Sequence, residues 1–444
     1  MTRRQFLAMP AALAGKKPNI VMILLDDLGV GDVGCYGQTK IQTPNIDRLA
    51  REGTRFTAAY AGGPVCAPSR CVLMTGKHGG HAKIRANAGT APIDSGDMTF
   101  AHWLRNQGYV CGGFGKWGLG DHGTAGTPWR HGFSEFFGYL HQVHAHSYYR
   151  DFLWDNDQRF PLPANANGAR GTYTADVIAE RSYAFLRKHK DQPFFLYATY
   201  TVPHAYFEPP DVKPYEDRDW PEGEKRYATM VTRGDTYAGR ILALLKEFNL
   251  ADNTLVIFAS DNGGVGSKEH TLDFFNTMKQ PDGSTLRGQK GTLYEGGLRV
   301  PFVLRWPGRV KAGAVSNEPV YFADIFATVK HAAGGADTYH EDGTSILRLL
   351  ERPARRPMVW ESHGWTQKTQ ELRADYGIAV RIGEWKGVRN KPDGPIEIYN
   401  LKNDPGETRD LAATAPREKA MIEKLMAEQH SPPAKHPGSM EWVK

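Results

Sequence analysis

No stretch of this chain approaches the roughly 20 consecutive apolar residues of a membrane-spanning helix, so the sequence predicts no membrane span. No run of lysine or arginine concentrates its net charge of +6, which removes the usual ground for a nucleic-acid partner. Cysteine is scarce. Cys35, Cys66, Cys71 and Cys111 are the only four; their spacing fits no zinc pattern, and a chain this long forces no disulfide framework. Internal repeats and low-complexity tracts are absent as well.

What is present describes a globular enzyme or binding protein. Hydrophobic residues make up 40% and charged residues 23%, while 48 glycines and 28 prolines imply many ordered loops. With 444 residues the chain has room for two packed units, or one domain with a substantial appendage. Apolar runs alternate with amphipathic stretches, the pattern of an α/β domain with a buried sheet. Buried strands are predicted over Asn19–Leu25, Gly108–Phe114, Pro193–Ala198 and Thr254–Ala259. Helices with an apolar stripe are predicted over Pro44–Glu52, Thr99–Gln107, Thr174–Lys188 and Glu224–Phe248. Beyond about residue 335, short strands around Met358–Glu361, Gly377–Arg381 and Glu397–Asn400 precede a helix near Pro416–Gln429. That texture reads as a smaller antiparallel sheet plus helix packed on the main domain. At the other end, Thr2-Arg3-Arg4-Gln5-Phe6-Leu7 resembles a twin-arginine export signal, with cleavage after Ala12-Leu13-Ala14. The expected organisation is a signal peptide over 1–14, an α/β domain over 15–335 and a C-terminal subdomain over 336–444, in a periplasmic or secreted protein.

Polar residues follow each predicted strand of the main domain. Asp26-Asp27 end the first, Asp261-Asn262 follow the last, and Lys116 and His204 lie beyond the other two. Ligands of open α/β sheets bind outside the carboxyl ends of the strands, so one site assembled from these distant segments is expected. Asp26, Asp27, Asp261 and Asn262 offer only oxygen donors, a set suited to a hard divalent cation, calcium or magnesium. Three carboxylates and such an ion leave the cluster about one charge negative, and an anionic substrate would need Arg70, Lys116 or Lys290. Cys66 adds a reactive atom. Pro68 is placed to open a helix running to Gly76, because proline is favoured at the first helical position. Cys66 would then sit at the N–H-rich end of that helix, where an anion or nucleophile is stabilised.

Cys66-Ala67-Pro68-Ser69-Arg70 with Thr75-Gly76 resembles the maturation signature of the type I sulfatases. Leu25-Asp26-Asp27-Leu28-Gly29 and Ser260-Asp261-Asn262-Gly263 resemble that family's metal motifs. Leu286–Lys290, Glu295–Pro301 and the segment Ile398–Thr408 match it further along. The resemblance runs from about residue 18 to 411. It implies a large mixed, mostly parallel central sheet flanked by helices, like that of alkaline phosphatases and sulfatases, with a smaller C-terminal antiparallel sheet plus helix. It also implies that a formylglycine-generating enzyme oxidises Cys66 to formylglycine. Calcium would be held by Asp26, Asp27, Asp261, Asn262 and residue 66. Arg70 would support the formylglycine; Lys116, Lys290 and His204 would bind the sulfate, and His204 would protonate the leaving oxygen. One hydroxyl of the hydrated formylglycine would attack sulfur, and the second would expel sulfate and regenerate the aldehyde.

One departure stands out. Relatives often read Gly-Lys-Trp-His-Leu-Gly where this chain has Gly115-Lys116-Trp117-Gly118-Leu119-Gly120, so an imidazole is missing at Gly118. His144 or His146, expected to share a face of an extended segment with Tyr148, is the candidate replacement. His78, His81 and Arg85, with Glu361 and His363, are candidates for the sugar side of a pocket. The expected activity is hydrolysis of a carbohydrate sulfate ester. The alternatives are a phosphomonoester or phosphodiester hydrolase of the same superfamily, or a silent calcium- and glycan-binding protein.

Overall fold

Asn19–Leu25, seven buried residues without a charge among them, form the strand about which the molecule is built. In the computed structural model, which describes residues 16–87, 92–335, 339–366 and 371–433, this strand is fifth in a ten-stranded sheet. The strand order is Ala314–Ser316, Thr54–Phe56, Phe302–Arg305, Thr254–Ser260, Asn19–Leu25, Phe194–Thr199, Val110–Lys116, Glu135–Tyr139, Phe152–Asp155 and Gln158–Pro161. The five strands from Thr254–Ser260 to Glu135–Tyr139 run parallel; Phe302–Arg305 and the last two strands join antiparallel. The signal peptide expected over 1–14 lies outside the described residues.

Helices cover both faces because alternate side chains of each strand point to opposite sides. Ile20, Met22 and Leu24 pack toward the helices Cys66–Thr75, Phe100–Asn106 and Ala323–Ala332. Val21, Ile23 and Leu25 pack toward Pro44–Glu52, Thr174–His189 and Glu222–Glu247. The four sequence-predicted strands and four helices are present within two residues of the expected bounds.

A separate four-stranded antiparallel sheet follows, in the order Pro357–Thr366, Glu371–Ile382, Trp385–Arg389 and Glu397–Asn400, with the helix Pro416–Glu428. Its faces divide with the same period of two. Val359, Ile378, Val380 and Ile398 pack against Ile422 and Met426 of the helix. Trp360, Ala379, Val388 and Tyr399 belong to the large core of the main sheet, and the Trp360 indole donates to Ala61 O at 2.8 Å.

Sheet register positions the site. Leu25 lies opposite Ser260, Leu24 opposite Thr199, and Thr199 opposite Gly115. Asp26, Asp261 and Lys116 therefore leave the sheet at one level.

Candidate active site

Backbone bonds lock the strand ends together. Asp261 N donates to Leu25 O at 3.0 Å, Asp26 N to Val202 O at 3.2 Å, and Leu28 N to Ser260 Oγ at 2.9 Å. Asp27 adopts the left-handed region, φ 65°, an uncommon conformation for a side-chain-bearing residue. Its N–H donates to Asp261 Oδ1 at 3.2 Å, which holds the turn.

The helix Cys66–Thr75 begins two residues before the position expected from Pro68. Cys66 is its first residue, and Gly76 closes it in the left-handed conformation. The first turn is capped from outside: Ala67 N donates to Asn87 Oδ1 at 2.8 Å. Cys66 Sγ lies 3.6 Å from Asp26 Oδ1. One turn on, the buried Arg70 guanidinium reaches Asp261 Oδ2 at 2.8 and 3.0 Å, Asp26 Oδ2 at 3.3 Å, Lys116 O at 2.6 Å and Thr199 Oγ1 at 2.5 Å. Lys116 Nζ lies 2.7 Å from Asp26 Oδ2. Lys290, whose N–H donates to Gly264 O at 3.0 Å, brings its Nζ to 2.6 and 2.7 Å from the two Asp27 carboxylate oxygens. His204 Nε2 lies 3.6 Å from Asp27 Oδ2, and its Nδ1 contacts Ala205 O. The nine residues singled out as ligands, nucleophile and sulfate contacts thus converge on one point.

Burial dominates the electrostatics and the fixed charges correct it. Desolvation would raise Asp26, but Lys116, His204, Arg70 and Lys290 outweigh it and hold this carboxyl far below the usual carboxylate range. Asp261, desolvated and beside Asp26, is pushed up to about 6. Burial opposes the charges of Lys116 and Lys290, yet Asp26 and Asp27 win and both lysines stay protonated. Burial, then Asp26, pushes the Cys66 thiol up to about 12. An unmodified Cys66 is therefore a poor nucleophile at neutral pH.

The site fits a hard cation. Asp26, Asp27, Cys66 and His204 bring ligand atoms within 4.8 Å of one another. Asn262 Nδ2 donates to Asp27 Oδ1 at 2.8 Å and Gly263 O at 2.9 Å. Its Oδ1 is buried and has no hydrogen-bond partner among the described residues, which is costly unless a positive group faces it. Three carboxylates face three cations here, so a divalent ion would leave the pocket two charges positive and receptive to an anion.

Around Gly118 the two histidine candidates separate. His144–His146 is a 3₁₀ turn and not an extended run. The ring of His146 stacks on His204 at 5.0 Å, whereas His144 packs against Phe152 at 4.6 Å and Tyr139 at 5.3 Å. Burial, then the charge of His204, holds His146 down to about 4. Gly118 has φ +81°, and a Cβ there would lie 2.3 Å from Gln142 Nε2. A buried amide thus fills the space that a residue-118 side chain would need.

His78 and Arg85 are not brought to this point. Arg85 spends its guanidinium on Glu361 Oε1 at 2.6 Å, Ala82 O, Gly80 O and Ser431. His78 Nε2 lies 3.0 Å from Gln429 Oε1; Glu361 and His363 bond to each other at 2.6 Å. These polar groups tie the loop after the Cys66 helix to the C-terminal segment. The sequence reading missed Thr199, Asn87 and Gln142. Thr199 ends a buried strand, the signal already used for its neighbours; Asn87 and Gln142 lie in loops whose course no local pattern reveals. A cavity of about 1020 Å³ opens elsewhere, beside Arg299, Arg356 and Trp385, and contains none of the converging residues.

Residues 18–336 match the Sulfatase family, and 288–431 match the C-terminal family of N-sulphoglucosamine sulphohydrolase. Human N-acetylgalactosamine-6-sulfatase is 33% identical over 91% of this chain and 83% of its own length. Mouse steryl-sulfatase is 28% identical over 94% and 82%. Among solved structures, Ps i-CgsB in complex with k-i-k-neocarrahexaose superposes with a TM-score of 0.81, at 28% identity and 96% coverage of both chains. The motifs, the sheet and these matches agree: the chain belongs to the sulfatase family and is a sulfatase.

Proposed function

We propose that this sulfatase hydrolyses a sulfate ester of a carbohydrate, with position 66 matured to formylglycine and calcium held by Asp26, Asp27, Asp261 and Asn262. One observation carries the reading: Cys66, a thiol held protonated up to about 12, sits 3.6 Å from Asp26 among three fixed cations. Such a thiol is poorly suited to attack as it stands, and well placed as the precursor of something else. Formylglycine, once hydrated, supplies an oxygen nucleophile and a second hydroxyl through which sulfate is released. Calcium supplies Lewis acidity and charge neutralisation. The carbohydrate is favoured because the human relative is named for N-acetylgalactosamine and the solved Ps i-CgsB structure holds a neocarrahexaose.

The chain's own residues do the rest. Arg70, clamped by Asp261, Lys116 O and Thr199, fixes the carboxylates of Asp261 and Asp26. Lys116 and Lys290 donate to the sulfate oxygens and take up charge as the S–O bond breaks. With His204 Nδ1–H donated to Ala205 O, Nε2 carries a proton only in the imidazolium form, which burial disfavours and the charges of Asp27 and Asp26 favour. In that form Nε2 is the atom that delivers a proton to the departing sugar oxygen. His146 sets the plane of that ring by stacking on it, and takes the place of the imidazole absent at Gly118; His144, packed on Phe152, has no part. Residues 15–335 carry this chemistry, with 336–444 bracing it. A formylglycine-generating enzyme acts during maturation, and the twin-arginine segment directs the chain to the periplasm or beyond.

The test pairs two measurements on protein matured in its native host or beside a maturation enzyme. The tryptic peptide Phe56–Arg70 should carry the mass of formylglycine at position 66, and nitrophenyl sulfate should be turned over far faster than nitrophenyl phosphate. Unmodified cysteine in fully active protein, or a preference for the phosphate, would sink the reading.

A further inference from the structure

Among the described residues, three large apolar side chains are exposed: Val143, Tyr206 and Val315. Val315 lies on an edge strand of the main sheet. The other two belong to the pair of loops that meet over the candidate site. Tyr206 follows His204 by two residues, Val143 precedes His146 by three, and the rings of His204 and His146 stack at 5.0 Å. The Tyr148 hydroxyl fastens these loops by donating to Thr201 O at 2.7 Å and His204 O at 2.9 Å. Tyr206 is 69% exposed and Val143 57%. No hydrogen bond or ring contact with a described residue engages the Tyr206 side chain.

Cys66, Asp26 and Lys116 form a buried floor to the site. Lys290 and His204 keep 15% and 11% of their side chains exposed, so an ester that puts its sulfate among these residues carries its body outward on that side. An exposed aromatic ring two residues beyond a residue of the site, engaged by no described neighbour, offers a surface that a ligand can cover. A tyrosine suits a sugar: its flat face meets the C–H groups of a pyranose, while its hydroxyl stays within reach of the ring's own hydroxyls. We propose that Tyr206 is the stacking surface for a pyranose ring of the sulfated substrate. The proposal rests on the sulfate-ester reading for what fills the depth of the pocket, yet sugar binding at the rim is measurable without turnover.

The experiment titrates free sulfate and a set of sulfated oligosaccharides, 6-sulfated galactosamine and carrageenan fragments, into Cys66→Ala protein by calorimetry. The same titrations follow with Tyr206→Ala and Tyr206→Trp added. Tyr206→Ala should weaken the best oligosaccharide by roughly five- to tenfold and leave free sulfate unchanged, and Tyr206→Trp should restore the oligosaccharide. Equal weakening of both ligands, no weakening of either, or binding of none of the oligosaccharides overturns the proposal. Turnover of nitrophenyl sulfate by matured protein reports separately on the hydrolase reading. That reading can fail while a Tyr206-dependent affinity stands, and it can hold while the affinity fails.

Discussion

At the scale of single residues, Asn262 and His204 carry the sharpest consequences. The Asn262 Oδ1 is a buried acceptor without a donor, and a cation that supplies its partner stabilises the fold by mass action. Calcium should therefore raise the melting temperature of the native protein and chelator should lower it. Asn262→Leu, similar in volume but unable to ligate, should lose most of that calcium-dependent gain; an undiminished gain would remove Asn262 from the ligand set. His204 is read as the proton donor to the leaving oxygen, so its value depends on how badly that oxygen needs a proton. His204→Ala should cut turnover of a sugar sulfate by about 10²–10⁴-fold and of nitrophenyl sulfate, whose phenolate leaves unaided, far less. Equal losses on both substrates would assign His204 to binding alone.

At the scale of elements, the loop after the Cys66 helix is held by the C-terminal segment through residues that a sequence reader takes for a pocket wall. Gly80 N donates to His78 Nδ1 at 3.1 Å, which leaves Nε2–H to donate to Gln429 Oε1. Both nitrogens are thus used by the neutral ring. Burial holds His78 down to about 4 from its ordinary 6.5. A group depressed on folding binds its proton first in the unfolded chain, so its contribution is complete above pH 6.5 and drains away as pH falls toward 4. Unfolding followed by denaturant at pH 7 and pH 5 should show a loss to which His78 contributes on the order of 1 kcal/mol. His78→Gln should lose less stability over that interval than the native protein. The same or a larger loss in the variant would place the acid sensitivity elsewhere.

At the scale of the whole molecule, one buried ion network joins the C-terminal sheet to the main domain. Lys386, on the third strand of the C-terminal sheet, lies 2.9 Å from Glu295 and 2.8 Å from Glu407. Glu295 also accepts from Arg299 and Tyr60, each at 2.8 Å. Two motifs legible only by resemblance, Glu295–Pro301 and the segment ending at Thr408, thus meet on one lysine. Removing one partner of such a network strands the others in a low-dielectric interior. Lys386→Met should cost about 3–5 kcal/mol in denaturant unfolding, and the two sheets should still unfold together, because Trp360 and Tyr399 belong to the main core. A shift of under about 0.5 kcal/mol, or separate transitions by two probes, would mean that the C-terminal unit stands alone.

The sequence by itself determined the α/β class, the positions of the central strands and the identity of the converging residues. Continuous apolar runs mark strands buried on both faces, and polar residues just beyond them have nowhere to go but the carboxyl edge. It also announced the Cys66 helix, though the start lies two residues earlier, where distant Asn87, and no local side chain, caps the helix's first turn. The tertiary structure alone decided which loop residues face the site. His144 and His146 are two positions apart, and a 3₁₀ turn sends one to Phe152 and the other to His204. Arg85 and His78 look like ligands for a sugar until the C-terminal segment, some 350 residues away in sequence for His78 and Gln429, consumes their hydrogen bonds. Periodicity records which side of an element is apolar; it carries no record of which partner a long polar side chain will find, because that is set by contacts between segments far apart in the chain.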